Sequence, residues 1–213
     1  MDIYTLTLIL LSDATFGRGD GVAGLVDAEV RQDRYGMPYI HGRTLKGLLA
    51  EECASILFAL DERASRWHGA AQRLWGRPGS SIEDKAIMRV GNATLPSDLR
   101  AAITADVESG KYAPIDVLES LTAIRRQTAM DETGKPARGS LRATRVVLRQ
   151  TTLEASLWFV ERPSQDDLAL LAGCVMALRR VGTGRNRGRG RVKARLVDAQ
   201  GEDYFAHFKE ALQ

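Results

Sequence analysis

Residues 3–11 alternate, with Tyr4, Leu6, Leu8 and Leu10 on one side and Ile3, Thr5, Thr7 and Ile9 on the other. A period of two with one wholly apolar face predicts a strand, and the mixed second face places it centrally in a sheet. The period changes at Thr44: Leu45, Leu48, Leu49, Cys53, Ile56, Leu57 and Leu60 recur at helical steps and predict a helix to about Leu60. A second helix follows over Glu62–Trp75, ended by Gly76-Arg77-Pro78-Gly79. Met88–Leu95 reads as a strand stopped by Pro96, and Ser97–Glu108 as a short helix. Leu118–Arg149 reads as two β-prone arms around the polar, turn-rich stretch Met130–Gly139. Leu153, Ala155, Leu157 and Phe159 mark a strand over Leu153–Val160. Pro163-Ser164 starts a helix over Gln165–Arg180, and a last strand, Arg191–Val197, precedes a helical tail to Gln213.

Between the first strand and the first helix, Ser12–Met37 is rich in charge and in glycine (Gly17, Gly19, Gly21, Gly24), with a weak strand at Gly24–Arg31. Loops of that length are uncommon in compact domains and are usually functional. Without its insertions, the order is strand, helix, strand, strand, helix, strand. The expected fold is therefore α+β, a ferredoxin-like (RRM-like) βαββαβ core. We read residues 1–213 as a single domain elaborated by a loop at 12–37, a helical insertion at 61–110 and a protruding β-hairpin at 118–149. A fold assigns no function by itself.

Composition narrows the class. The 213 residues are 44% hydrophobic and 27% charged, enough to bury a substantial core. Net charge is only +3, yet the stretch from Arg179 to Lys193 is basic and contains no acid, so local charge is the informative quantity. Cys53 and Cys174 both lie in apolar helical patterns, which fits reduced core thiols better than a disulfide framework. The apolar N-terminal run lacks a basic flank and no apolar run reaches about 20 residues. A cytoplasmic protein without a membrane partner is the expectation.

Two stretches carry candidate chemistry. In Pro38-Tyr39-Ile40-His41-Gly42-Arg43-Thr44-Leu45-Lys46-Gly47, a turn runs into a helix whose positive end favours an anion. Thr44 is placed to cap that helix, with Arg43 and Lys46 adding charge. The second stretch, Gly182–Gly190, interleaves glycines with Arg185, Arg187 and Arg189, which suits close backbone approach to phosphates and guanidinium forks onto them. It follows a helix and precedes a strand, the reverse of a dinucleotide fingerprint, and Gly42–Gly47 lacks the Gly-Lys-Ser/Thr ending of a P-loop. A solvated connector is the plain alternative for the glycine loop, and an ordinary exposed arm is the plain alternative for the basic hairpin around Arg125, Arg126, Lys135, Arg138, Arg142, Arg145 and Arg149. His41 fits a backbone-shaping or RNA-contacting role better than a catalytic one, for want of a partner. Asp13, Asp20, Asp27 and Asp33 are the carboxylates able to hold Mg²⁺ or orient a ribose hydroxyl. Each is equally explained as a turn-former or ion-pair partner, and the residues alone do not choose among them.

Together these stretches resemble the RAMP superfamily of CRISPR-associated proteins, and within it the spine subunit of type III effector complexes. Pro38–Gly47 is similar to that family's Pro-x-Ile-Pro-Gly-Ser-Ser-Leu-Lys-Gly helix start. Leu74-Trp75-Gly76 followed by Met88–Leu95 resembles its Phe-Gly-then-strand element, and Arg179–Gly190 resembles its glycine-rich loop. Thr128, Asp131, Thr133-Gly134-Lys135, Ala137 and Gly139–Arg142 match its thumb hairpin. The resemblance implies guide CRISPR RNA, target RNA and other effector subunits (neighbouring spine copies, large and small subunits) as partners. It implies RNA contacts from His41, Arg43, Thr44, Lys46, Arg125, Met130, Arg138, Arg142, Gly182, Gly184, Arg185, Arg187, Gly188 and Arg189. The family's Gly-x-Ile-Asp-x-x-Val-x-x-Asp context falls on Gly24–Asp33 and selects Asp27 as the residue for cleavage with Mg²⁺ or another divalent cation. A noncatalytic spine subunit that only holds guide and neighbours is the alternative reading. The chain departs from the pattern at Thr15, where the family often carries His, and at His41, where it carries Pro.

Overall fold

The computed structural model describes residues 3–17, 19–76, 86–137, 139–198, 200–201 and 203–204. The alternating N-terminal run forms β1 (Ile3–Leu10), whose Tyr4, Leu6, Leu8 and Leu10 are all buried. α1 (Gly42–Leu60) and α2 (Ser65–Trp75) follow, joined by a 3-10 turn over Asp61–Ala64. Next come β2 (Met88–Val90), α3 (Ser97–Glu108), α4 (Pro114–Leu121) and the paired β3 (Thr122–Gln127) and β4 (Arg142–Val147). β5 (Thr152–Phe159), α5 (Gln165–Ala177) and β6 (Val192–Val197) complete the described elements.

The result is a mixed α/β protein with antiparallel sheets. Its main sheet has the order β2-β5-β1-β6, so β1 lies inside, as its wholly apolar face and mixed second face predict. Leu6 pairs with Ala155 and Leu196, and Leu8 with Leu153 and Ala194, which assembles one apolar face from three strands. α1 and α5 cover it. Residues 169–175 of α5 are all buried, which accounts for a helix apolar on every side. Ser164 caps α5 reciprocally: its hydroxyl accepts the Asp167 amide, and the Asp167 carboxylate accepts the Ser164 amide. Cys53 of α1 and Cys174 of α5 meet in this core as free thiols, and their hydrogen bond together with burial pushes the Cys174 thiol well up. Among the described residues no helix is long and apolar enough to cross a membrane.

Several expected elements are shorter or different. Residues 24–31 form no strand: Gly24 adopts φ +77° in a tight turn where Val22 and Val26 pair, and Ala28 and Val30 bond singly to Thr144 and Gly17. The strand expected over Met88–Leu95 ends at Val90; Ala93 then pairs with Ile40, and Thr94 with Glu154. Leu118–Leu121 belongs to α4, started by Pro114 with the Asp116 carboxylate accepting the Ala113 amide, so the hairpin begins at Thr122. α5 stops at Ala177 rather than Arg180, because Val181 and Arg180 are drawn into pairing with Gly190 and Arg191. The expected tail helix lies outside the described residues.

Candidate nucleic-acid interface

Glycine backbone geometry builds the loop between α5 and β6. Arg185–Arg187 form one 3-10 turn between Gly184 and Gly188, both left-handed at φ 72° and 77°. A Cβ on Gly190 would sit 1.9 Å from the Val181 carbonyl oxygen, and one on Gly182 would sit 2.4 Å from that of Thr15. Those two glycines close the loop's neck and seat it on the chain just after β1, a packing role that differs from the expected approach to phosphates. Arg180 donates to the Arg185 carbonyl at 2.8 Å, and Thr183 donates its amide to Thr15 at 2.9 Å. The loop is thereby held against the body of the protein with its arginines outward.

Three hollows adjoin this loop. One, of about 550 Å³, lies at the start of α1 and is lined by Arg31, His41, Arg43, Thr44, Gly182, Thr183 and Arg185. The second, of about 840 Å³, is lined by Asp27, Thr128, Arg142, Thr183, Gly184, Arg187 and Arg189. The third, of about 740 Å³, lies behind the foot of the hairpin, with Asp13, Arg125, Arg149, Arg187, Gly188 and Arg189 in its wall. Thr183 is common to the first two, and Arg187 and Arg189 to the last two. Through these shared residues the three hollows neighbour one another along the loop and make up a basic trough.

Most of the residues expected at the site face this trough, with corrections. Thr44 does not cap α1: the helix begins at Gly42, and His41 holds the cap position without a side-chain hydrogen bond. The Gly42 amide donates instead to Asn92 Oδ1 at 2.9 Å, leaving the next amides, of Arg43 and Thr44, without intrahelical partners. Lys46 was expected beside Arg43, but its ammonium is half-buried and donates to the Met88 carbonyl at 3.0 Å, outside all three hollows. Burial, then repulsion from Arg89, lowers its pKa. Lys46 and Arg187 thus do not share the groove, and the basic side chain at the helix start is Arg43. Met130 stands at the hairpin tip, 64% exposed and outside the hollows. Arg138 lies outside the described residues.

The carboxylates separate clearly. Asp33 Oδ1 accepts the amides of Tyr35 and Met37 and shapes a turn. Asp13 accepts Arg125 at 2.8 Å and the Arg149 amide at 3.1 Å. Asp27 alone lines the middle hollow; its amide donates to the Ala143 carbonyl at 2.7 Å, and its Oδ2 accepts the Ala143 amide at 2.6 Å. That clasp fixes Asp27 to the start of β4 and leaves Oδ1 without a hydrogen bond among the described residues. No three His, Cys, Asp or Glu side chains gather into a metal cluster among the described residues.

Sequence reasoning missed Asn92, Glu51, Arg31 and the fastening role of Asp13. Glu51 pairs with Arg185 at 2.9 Å from α1, a contact no local pattern announces. At the hairpin tip, Asp131 Oδ1 accepts the Thr133 hydroxyl and the amides of Thr133 and Lys135. The Thr133 hydroxyl first, then the Lys135 amide, holds its carboxyl below the ordinary value. A folded-state pKa that is depressed stabilises the tip at neutral pH and loses that effect as pH falls through it. Asp131→Ala is therefore expected to speed amide hydrogen exchange at Thr133 and Lys135 at neutral pH, matching the unsubstituted chain in acid. Unchanged exchange at neutral pH would contradict this role.

A family model described as the RAMP superfamily matches residues 7–193. Solved structures share the fold at low identity. A chain of a Type III-B Cmr-beta complex bound to cognate target RNA is 14% identical at a TM-score of 0.63, covering 91% of this chain and 96% of its own. A chain of Type III-B Cmr-beta in the apo state is 13% identical at a TM-score of 0.64, covering 92% and 97%. No curated protein matches.

Proposed function

Given that this chain belongs to the RAMP superfamily, we propose that it is a guide-RNA-binding spine subunit of a type III CRISPR effector complex, and that it cuts guide-paired target RNA at Asp27. The observation that carries this reading is the trough itself: a glycine-shaped loop whose Arg187 and Arg189 make no ion pair among the described residues, with neighbouring hollows from the start of α1 to the hairpin and one clasped carboxylate in the middle one. We take the antiparallel order β2-β5-β1-β6, with crossover helices between β1 and β2 and between β5 and β6, as a ferredoxin-like core, and the β3–β4 hairpin as its thumb. The partners follow: guide CRISPR RNA, target RNA, neighbouring spine copies and the large and small subunits. Both solved likenesses come from type III-B complexes, one bound to target RNA.

In the cleavage step, a target 2′-oxygen attacks the adjacent phosphorus as the bond to the 5′-oxygen breaks. The products are a 2′,3′-cyclic phosphate and a 5′-hydroxyl, and the proton lost from the 2′-hydroxyl is matched by one taken up at the 5′-oxygen. This chain's part is positional: Arg187, Arg189 and Arg142 hold the strand, and Asp27 Oδ1 faces the reacting ribose or phosphate. A divalent cation such as Mg²⁺ would be held here by Asp27 together with the bound RNA, and would supply charge neutralisation at the phosphate. Among the described residues lining the hollow Asp27 is the one carboxylate, which favours the other reading, a noncatalytic subunit that only holds guide and neighbours.

Binding is tested first. Arg187→Ala with Arg189→Ala is expected to weaken single-stranded RNA binding and to lower the slope of log Kobs against log salt by about 1.4, roughly 0.7 for each lost phosphate contact. An unchanged slope would remove the trough from the account.

A further inference from the structure

The hollow behind the hairpin foot differs in kind from the one that holds Asp27. Its wall contains five arginines, Arg125, Arg126, Arg149, Arg187 and Arg189, against one aspartate. Elsewhere several arginines meet a carboxylate: Arg145 pairs with Glu29, Arg185 with Glu51, Arg73 with Asp167 and Arg66 with Asp166. Here only Arg125 has a carboxylate, while Arg126, Arg149, Arg187 and Arg189 make no ion pair among the described residues. Like charges gathered without counter-ions repel one another, so such a cluster is stable only at the surface and gains most when an anion enters it. Asp13 is also unsuited to neutralise the rest. Its two oxygens are taken by Arg125 and the Arg149 amide, and its own carbonyl by the Gly190 amide, so it fastens the hairpin foot to the glycine loop.

We infer that this hollow is a separate phosphate site, which takes successive phosphates of a single RNA strand through Arg126 and Arg149 in addition to the loop arginines. The inference rests on the RNA-binding reading above. A single free anion would need one guanidinium fork; four unpaired arginines spread around a hollow of about 740 Å³ suit a chain of charges. Because Arg187 and Arg189 also line the Asp27 hollow, a strand held here continues over the loop toward that carboxylate.

The test compares three double variants of the purified chain for binding a short oligouridylate across a salt series, each checked for an unchanged melting temperature. Arg126→Ala/Arg149→Ala is expected to lower the salt slope by about 1.4, two contacts at roughly 0.7 each. Lys193→Ala/Arg195→Ala, which removes equal charge from β6 outside the trough, is expected to leave it unchanged. If Arg187→Ala/Arg189→Ala lowers the slope while Arg126→Ala/Arg149→Ala does not, the second phosphate site is refuted and the RNA-binding reading stands. If neither pair lowers it, both are refuted. If the β6 pair lowers it equally, binding follows net charge and the site is refuted.

Discussion

Asp27→Asn is expected to reduce target RNA cleavage on the order of a hundredfold or more, the scale of losing one catalytic group, while guide and target binding persist. Asparagine is the informative substitution, since its carbonyl can still accept the Ala143 amide that Asp27 Oδ2 accepts at 2.6 Å. The clasp to β4 survives, and only the charge facing the hollow is lost. Asp33→Asn serves as the contrast: Asp33 shapes the turn at Tyr35 and Met37 and is expected to leave cleavage intact. The measurement is product formation on guide-paired target RNA by the assembled complex, with binding followed in parallel. Cleavage at the unsubstituted rate by Asp27→Asn would leave the noncatalytic spine reading in its place.

Arg145→Met is expected to lower the free energy of unfolding by about 3–5 kcal/mol, because it strands Glu29 as an uncompensated buried charge. Both side chains are 5% exposed, the ions are 2.9 Å apart, and Arg145 also donates to the Thr122 hydroxyl at 3.3 Å. Glu29→Gln leaves the Arg145 guanidinium without its counter-charge but should cost less, since the amide oxygen can still accept a hydrogen bond where Glu29 accepts the Val30 amide and the Arg145 guanidinium. The double variant should be milder than Arg145→Met alone, the signature of a pair whose cost comes from breaking it. Urea denaturation of the three variants measures this. A loss below about 1 kcal/mol for Arg145→Met would place the pair with ordinary surface bridges. The pair also matters to the site: the Arg145 amide donates to the Ala28 carbonyl at 3.0 Å, one residue from Asp27, so it sets how the long loop lies along the hairpin.

The parts of the fold legible beforehand were those whose signal is local and repeated. β1, β5, α1 and α5 followed from runs of alternating or helical apolar positions, confirmed by burial along one face in β1, β5 and α1 and on every side in α5. Elements misjudged in length were those whose ends depend on partners far along the chain. Met88–Leu95 looks uniformly β-prone, yet β2 stops where Asn92 turns to cap α1 and Ala93 pairs with Ile40. Thr44 has the chemistry of a cap, but Asn92, from another part of the chain, bonds the first amide instead. α4 was hidden because its eight residues adjoin a strand without a break. Within the site, the glycines and arginines of the loop were evident as a pattern, whereas the division of labour among them was not. Gly182 and Gly190 serve close packing on Thr15 and Val181, and Arg185 is matched by Glu51.

By itself the sequence determined the periodicities that make sheet and helices, the acid-free basic stretch before the last strand, and the residue types able to hold phosphate. These depend on spacing and charge along the chain, which need no knowledge of what lies across the fold. Only the tertiary structure decided which way each side chain points and what it meets. It turned Lys46 onto the Met88 carbonyl, clasped Asp27 to Ala143, tied Asp13 to Arg125 and left the Arg126 and Arg149 side chains without an ion pair among the described residues. Pairings between residues 40 to 140 positions apart arise from packing a whole core at once, so no stretch read in isolation contains them.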